Sequence, residues 1–244
     1  MRKTKICVII PCYNEAENIS SVIDDIMTVV AAEESWQVIT VNDCSADNTL
    51  RALETDGRSI VLDLPCNLGV GAAVQAGFKY AVKNDFDFAF KFDGDGQHRA
   101  ASLRKMLQPL KNNAADLVVG SRFLSKNTEG FQSTPLRRFG IRFFRLLIAA
   151  LSGCKPSDPT SGLRGYNRKS MEFAARHYPS FDYPEPEELL LMKRNGFSIL
   201  DIYTRMRERQ NGVSSICFMR SIYYMLKVTF AIMMVSLRPK EKEY

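Results

Sequence analysis

Residues 6–19 read ICVIIPCYNEAENI, where an apolar, mostly β-branched run ends at a proline and a polar turn. The apolar run Ile6–Ile10 predicts a buried strand. Apolar residues at helical spacing then predict a helix between Glu15 and Ala32, through Ile19, Val22, Ile23 and Ile26. A strand followed directly by a helix is typical of βαβ units, so this opening predicts an α/β fold.

The same alternation continues through the first 120 residues. Further strands are predicted at 37–41, 59–64, 87–92 and 116–120, and helices at 69–82 and 100–110, with another helix beginning near Ser45 or Asp47. Such alternation predicts a largely parallel sheet covered by helices on both faces. Ligands of these sheets bind beyond the carboxyl ends of the strands.

After residue 120 the alternation fades. The loop at 157–167 leads to a short predicted strand, followed by a helix at 185–194 and a strand within 197–206. Residues 136–151 predict a basic amphipathic helix, and residues 216–237 predict a long apolar one. On the first of these helices Phe139, Phe143 and Leu146 share one face with Leu147 and Ala150, and Arg138, Arg142 and Arg145 share another.

The composition is that of a globular protein, with 244 residues of which 45% are hydrophobic and 25% charged. A formal net charge of +6 favours anionic partners such as nucleotide phosphates, an anionic membrane surface or nucleic acid. The six cysteines have no metal-ligand spacing, which predicts reduced thiols in the cytosol. The apolar run before Pro11 is shorter than the about 7–15 residues of a signal peptide, so a cytoplasmic protein is expected.

Four polar, turn-rich segments follow the first four predicted strands: PCYNEAEN, NDCSADNT, NLGVGAA and DGDGQH. Each segment alone is typical of a turn. Because the carboxyl ends of parallel strands share one edge of a sheet, the four together predict a single ligand-binding rim.

The last of these segments contains the paired acids Asp93 and Asp95. A calcium EF-hand loop is excluded, because its sixth and twelfth positions would hold His98 and Arg104 instead of glycine and glutamate. A structural turn and a divalent-cation site that serves a diphosphate both remain. Alternate residues of an extended segment point the same way, so the two carboxylates can address one ion, and Gly94 leaves room for a bulky ligand. Mg²⁺ and Mn²⁺ prefer such oxygen ligands.

The segments VIIPCYNEAENI, VNDCSADNT, NLGVGAAVQAG and KFDGDGQH, in this order, resemble the inverting GT-A-type glycosyltransferases of family two, over about residues 5–215. Further on, VVGSRF, DPTSGLRGY and RERQNGVSSI are most similar to the branch that contains dolichol-phosphate mannose synthase and bacterial polyprenyl-phosphate sugar transferases. The resemblance implies a GT-A fold, a nucleotide-diphosphate sugar donor, Mg²⁺ or Mn²⁺ as cofactor and a polyprenyl-phosphate acceptor.

The resemblance also implies roles for individual residues. The donor-binding set comprises Pro11, Tyr13, Asn14 and Glu15 in the loop that holds the nucleoside, Asp43 at the base, and Asp93, Gly94, Asp95 and Arg122. Asp93, Asp95 and Gln97 match the metal site, with Asp95 and Gln97 preferred as ligands. Arg122 and Arg209 match basic residues near phosphates, and together with the two aspartates they belong to the predicted catalytic set.

Two positions depart from the family pattern. Asn42 stands where the family usually has a second acid, so contacts to the base or ribose can differ. Ser215 stands where the mannose synthases carry a lysine. Because of this serine, the identity of the sugar stays open. Whether a lysine contacts the acceptor phosphate also stays open.

Whether the reaction needs a catalytic base depends on the group that receives the sugar. If the acceptor is a hydroxyl, a carboxylate must take its proton, and Asp158, Glu187 and Glu188 are candidates. The two glutamates also fit the acidic first turn of a helix, and Asp158 also fits a turn or cap before a proline. A lipid phosphate is already ionised and needs no strong base.

The C-terminal helix has a charge-free run of ten residues, 228–237, about half of the ~20 that a membrane span requires. The pattern favours a helix lying in the membrane interface, and the helix at 136–151 has the same character. Each helix can alternatively face the core. We therefore predict a catalytic domain over residues 1–212 and a membrane-interface helix with a charged tail over 213–244. Peripheral association with the inner face of the cell membrane follows, and the same surfaces also suit a small membrane-protein partner or a homo-oligomer.

Transfer of a sugar to polyprenyl phosphate is the favoured activity, and transfer to a hydroxyl of a lipid-linked oligosaccharide in polysaccharide assembly is the alternative. A non-catalytic nucleotide-binding scaffold is disfavoured by the complete set Asp93, Asp95 and Gln97. No nucleic-acid partner is expected, because the arginines are not interleaved with a stacking surface. A dinucleotide site is disfavoured because Val74 occupies the third glycine position of the fingerprint.

Overall fold

The computed structural model of the protein describes residues 2–30, 34–124, 135–207 and 218–241. The strands are β1 Lys5–Cys12, β2 Ser35–Asn42, β3 Ser59–Asp63, β4 Phe88–Lys91, β5 Leu117–Ser121, β6 Arg164–Asn167 and β7 Ile199–Tyr203. The helices are α1 Ile19–Met27, α2 Thr49–Asp56, α3 Val70–Lys83, α4 Ala101–Lys111, α5 Pro135–Ser152, α6 Arg168–His177, α7 Glu185–Arg194 and α8 Phe218–Leu237.

The strands form one sheet in the order β3-β2-β1-β4-β6-β5-β7. All pairs are parallel except those of β6, which is antiparallel to both β4 and β5. The chain leaves β5 at the carboxyl edge of the sheet and returns through α5 to the same edge, so β6 must run in the opposite direction. The predicted α/β fold with a largely parallel sheet is confirmed.

Strand β1 is apolar from Ile6 onwards because both faces of the sheet are covered. Cys7 and Ile9 face a core that includes residues of α3 and α5 to α8. Ile6, Val8 and Ile10 face the opposite core, formed with α1, α2 and α4. Alternate strand residues point to opposite faces, so burial on both sides requires an uninterrupted apolar run.

Two helices differ from the sequence-based expectation. Helix α1 begins at Ile19, not at Glu15, because residues 15–18 form a turn in which the Glu15 carbonyl accepts hydrogen bonds from the N–H groups of Asn18 and Ile19. Ala32 lies outside the described residues. Helix α6 was not expected; its N-cap is Asn167, whose side chain accepts a hydrogen bond from the N–H of Ser170.

Helices α5 and α8 each bury one face and expose another. Helix α8 contributes Val228, Ile232 and Val235 to the core that also holds β1, and it packs on α7 and α5. Helix α5 buries Ile141, Phe144 and Ile148. The apolar face predicted for α5, with Phe139, Phe143 and Leu146, is largely exposed. Within the described residues no helix has the length and apolar character needed to cross a membrane.

Candidate active site

A cleft of about 420 Å³ opens at the carboxyl ends of β1, β2 and β4. It brings together most of the predicted donor-binding residues: Pro11, Tyr13, Glu15, Asp43, Asp93, Gly94 and Asp95. These residues come from the polar segments that follow β1, β2 and β4. The segment that follows β3, NLGVGAA, contributes Asn67 and Gly69. The rim that the sequence predicts therefore forms one continuous cavity.

The cleft is acidic. Five carboxylates line it, from Glu15, Asp43, Asp93, Asp95 and Asp182, and its described lining contains no lysine or arginine. A diphosphate would be repelled by such a surface unless a cation lay between them. The donor set is thus suited to Mg²⁺ or Mn²⁺. In the described part of the chain, no group of three or more His, Cys, Asp or Glu side chains is arranged to hold a metal ion.

Asp93 is held in place from two sides. Its Oδ2 lies 3.2 Å from Nε2 of His98, a buried side chain packed edge-on against Phe92. A Cβ atom at Gly162 would lie 2.0 Å from the same oxygen, so the backbone there presses directly on the carboxylate. Burial alone would raise the pKa of Asp93, but the His98 contact and the charges of Lys91 and Arg122 hold that pKa well below its ordinary value. Asp93 is therefore ionised and fixed.

Asp95 and Gln97 lie in a tight turn. The Gln97 N–H donates to Oδ1 of Asp95 over 3.1 Å, and Gly96 between them has a φ of +72°. The Gln97 carbonyl accepts a hydrogen bond of 2.7 Å from the N–H of Arg207, in the segment after β7. Asp95 lines the cleft, whereas Gln97 does not. The backbone of the turn is therefore tied to a neighbouring segment.

Asp43 has a structural contact that the sequence did not reveal. Its two carboxylate oxygens accept hydrogen bonds from the N–H groups of Leu68 and Gly69, over 2.8 and 2.9 Å. The carboxylate thereby fastens the loop that leads into α3. Asn42, at the departure from the family pattern, donates from Nδ2 to Oδ1 of Asp63 over 2.7 Å. Its side chain thus joins the ends of β2 and β3.

Asn14 does not line the cleft. It has a φ of +56°, its Oδ1 accepts from the N–H of Ala46, and its own N–H donates to Oγ of Ser45. The neighbouring Glu15 N–H donates to Oγ1 of Thr49 over 2.8 Å. These bonds join the loop after β1 to the loop after β2, which shapes the wall of the cleft.

Arg122 and Asp158 form a buried ion pair outside the cleft lining. The guanidinium donates from Nε and Nη2 to the two oxygens of Asp158, over 2.5 and 2.7 Å, and from Nη2 to Oγ1 of Thr160. Burial would raise the pKa of Asp158, but the Arg122 charge and hydrogen bonds hold that pKa below its ordinary value. A carboxylate bound in this way is a poor general base, so the geometry argues against that role for Asp158.

The other two candidate bases also lie outside the cleft lining. Glu188 is fully buried and accepts hydrogen bonds from Nη1 of Arg164 and from the hydroxyl of Tyr166, both over 2.7 Å. Glu187 is buried too, and burial together with the nearby Glu185 raises its pKa to about 7. Arg209 falls outside the described residues.

Two features of the site were not predicted from the sequence. Lys91, at the end of β4, is fully buried and pairs with Glu185 of α7, which places a positive charge near Asp93. A lysine within an otherwise apolar strand was the available signal. Asp182 and Tyr183 line the cleft from the loop between α6 and α7, and no local pattern could have placed them there.

The chain is similar to two curated proteins. It is 30% identical over 218 residues to a UDP-N-acetylglucosamine–dolichyl-phosphate N-acetylglucosaminyltransferase of Methanococcus voltae, which covers 81% of this chain and 83% of that protein. It is also 30% identical over 215 residues to polyprenol monophosphomannose synthase of Mycolicibacterium smegmatis, with 85% and 79% covered.

The fold is shared with a solved enzyme. Glucosyl-3-phosphoglycerate synthase from Mycobacterium tuberculosis, in complex with Mn²⁺, UDP and glucosyl-3-phosphoglycerate, superposes with a TM-score of 0.70 at 20% identity, over 98% of this chain and 82% of that one. Residues 7–173, more than half of the chain, match the family model of Glycosyl transferase family 2, and the chain therefore belongs to this family.

Proposed function

We propose that this protein transfers a sugar from a nucleotide-diphosphate donor to a polyprenyl phosphate, with inversion at the anomeric carbon. The observation that carries the proposal is the acidic cleft at the carboxyl ends of the strands, with Asp93 and Asp95 in its wall. The two curated relatives support the acceptor class, because their names specify dolichyl phosphate and polyprenol monophosphate chemistry.

Asp93 and Asp95, which line the cleft, would hold Mg²⁺ or Mn²⁺, whereas Gln97, the third predicted ligand, lies outside the lining. When bound, the ion offsets the negative charge that develops on the leaving diphosphate, a contribution on the order of several kcal/mol. Few protein oxygens are needed, because such ions take the remaining ligands from phosphate and water. The Mn²⁺ and UDP bound by the similarly folded synthase make Mn²⁺ the first ion to test.

Pro11, Tyr13, Glu15 and Asp43 would hold the nucleoside part of the donor. All four line the cleft beside the two aspartates. Asp43 is already bound to two backbone N–H groups, so its orientation is fixed before the donor arrives. A prealigned carboxylate loses little conformational entropy on binding.

A phosphate acceptor suits the carboxylates better than a hydroxyl acceptor. Transfer to a hydroxyl requires a base, but Asp158 and Glu188 are tied in buried ion pairs and Glu187 does not line the cleft. A lipid phosphate is already anionic and can attack without losing a proton. We therefore favour polyprenyl phosphate over the hydroxyl of a lipid-linked oligosaccharide.

Helices α5 and α8 would place the protein on the lipid surface at the inner face of the membrane. Helix α8 exposes an apolar stripe at positions i, i+3, i+7, i+10 and i+14, formed by Tyr223, Leu226, Phe230, Met233 and Leu237. The exposed apolar face of α5 is accompanied by exposed arginines, Arg138, Arg142 and Arg145. Apolar faces next to basic side chains favour an anionic interface.

The direct test is an assay with radiolabelled sugar donors, Mn²⁺ and undecaprenyl phosphate in detergent. UDP-glucose, UDP-N-acetylglucosamine and GDP-mannose serve as donors, and the expected product is a single-sugar lipid that mild acid hydrolyses. Asp95→Ala should lose transfer, and Asp24→Ala, on the exposed face of α1, is its matched control. The proposal would be contradicted if the protein transferred sugar from none of these donors, or if transfer persisted in EDTA.

A further inference from the structure

The loop between α6 and α7, residues 178–184, forms a wall of the donor cleft. Its Asp182 and Tyr183 line the same cavity as Asp93 and Asp95, although they lie about ninety residues later in the chain. Asp182 is also the one carboxylate of this lining that neither the family resemblance nor the motifs of the first four strands assign. Its position calls for a role.

The backbone of this loop is pressed against the start of α3. The Phe181 carbonyl accepts a hydrogen bond of 2.7 Å from the N–H of Gly71, and a Cβ atom at Gly71 would lie 1.8 Å from the Ser180 carbonyl oxygen. Asp182 Oδ1 would lie 3.0 Å from a Cβ at Gly69, the residue whose N–H holds Asp43. The loop is therefore fixed relative to the rest of the cleft.

Helix α8 holds the loop from the other side. Nζ of Lys227 donates to Oδ2 of Asp182 over 2.8 Å, and the ring of Tyr224 packs edge-on against that of Tyr183, with centroids 4.8 Å apart. Tyr183 has a φ of +54°, a conformation that is costly for a tyrosine and is found mostly where the surrounding structure enforces it at functional sites. Two contacts from α8 are in place to enforce it here.

We propose that Asp182 is a donor-binding residue whose carboxylate accepts a hydrogen bond from a hydroxyl or base N–H group of the nucleotide sugar, and that α8 positions it through Lys227 and Tyr224. This inference rests on the proposed function, because it takes the cleft to be the donor site. An ionised carboxylate is a hydrogen-bond acceptor only, so its partner must be a donor group. It repels the diphosphate, which leaves the N–H groups of the base and the hydroxyls of the ribose and of the transferred sugar.

Isothermal titration calorimetry with Mn²⁺ tests the proposal, with UDP, UDP-glucose, UDP-N-acetylglucosamine, GDP and GDP-mannose as probes. Asp182→Ala should weaken binding of the preferred nucleotide sugar about 10- to 100-fold, the range for a hydrogen bond to a charged group. Asp182→Asn keeps an acceptor oxygen, so its affinity for the nucleotide sugar should fall less. If Asp182→Ala leaves the affinity for the parent nucleoside diphosphate unchanged, the contact is to the transferred sugar. If that affinity falls in parallel, the contact is to the ribose or the base.

Two further variants separate a donor contact from a structural role. Asp24→Ala removes an aspartate from another exposed ion pair, with Arg58, and should leave all affinities unchanged. Lys227→Met keeps the Asp182 carboxylate and should weaken binding less than Asp182→Ala does. Equal losses of affinity in Lys227→Met and Asp182→Ala would overturn the proposal, as would an unchanged nucleotide-sugar affinity in Asp182→Ala. If no probe binds the wild-type protein, the proposed function itself fails, which is a distinct result.

Discussion

Replacing Glu187 by glutamine should change how the stability of the protein depends on pH. Glu187 is buried at the start of α7, where loss of solvent and the charge of Glu185 raise its pKa to about 7. In the unfolded chain a glutamate has a pKa of about 4.3. Between these two values the folded protein retains a proton that the unfolded chain has released.

The sign and the size of the effect follow from this difference in pKa. At pH 4 and below, both states bind the proton and Glu187 imposes no penalty. As the pH rises towards about 7 the unfolded state deprotonates first, so the free energy of unfolding falls, and above about 7 the loss is complete. At about 1.4 kcal/mol per pH unit the full loss is at most about 3–4 kcal/mol. For a chain of this size that corresponds to a change in Tm of up to about 6–16 °C.

The assay is thermal unfolding of the wild type and Glu187→Gln between pH 4.5 and 8.5. The two Tm values should be similar at the acid end, and the variant should be the more stable at pH 8. Glu54→Gln, an exposed glutamate on α2, controls for removal of a surface charge and should follow the wild type. A Glu187→Gln variant that is equally or less stable than the wild type at pH 8 would refute the reasoning.

Three other predictions concern the packing around the site and the exposed face of α8. Arg122→Ala leaves Asp158 buried without its partner and should lower the free energy of unfolding by about 3–5 kcal/mol in denaturant titrations. The paired replacement Arg122→Met with Asp158→Leu should recover much of this loss. No recovery would argue against the ion pair. Gly71→Ala places a methyl group against the facing loop backbone and should cost about 1–3 kcal/mol and weaken donor binding, whereas full retention of both would show that the loop yields freely. Phe230→Glu should abolish flotation with anionic liposomes while Tm stays within about 1 °C, since the side chain is exposed; unimpaired flotation would count against docking through α8.

The first half of the fold follows from the sequence because its signals are local. Apolar runs of strand length alternate with helical spacing, and each run ends in turn-forming residues, so strands β1 to β5 and their shared rim are predictable. The position of β6 is not, because it depends on how α5 returns the chain to the sheet. Helix α6 had a local signal, an asparagine three residues before a serine at its N-terminus, but only four of its ten residues are apolar.

The site is predictable to the extent that its residues come from those first strands. Asp43, Asp93 and Asp95 meet in one cleft because parallel strands end at one edge. The pairing of Arg122 with Asp158, and the entry of Asp182 into the cleft, join segments far apart in the chain, and no periodicity encodes such contacts. Helix α5 is apolar on more than one face, so its sequence alone could not decide which face the core would bury.

The central claim is that the cleft binds a diphosphate only through a divalent cation. Calorimetric titration of UDP and GDP into the wild type and Asp95→Ala, each with Mn²⁺ and with EDTA, measures this directly. We expect the wild type to bind one of the two nucleotides with Mn²⁺ and neither in EDTA, and Asp95→Ala to bind neither while its Tm remains close to that of the wild type. Equal affinity of the wild type in Mn²⁺ and EDTA, or undiminished Mn²⁺-dependent binding by Asp95→Ala, would contradict it.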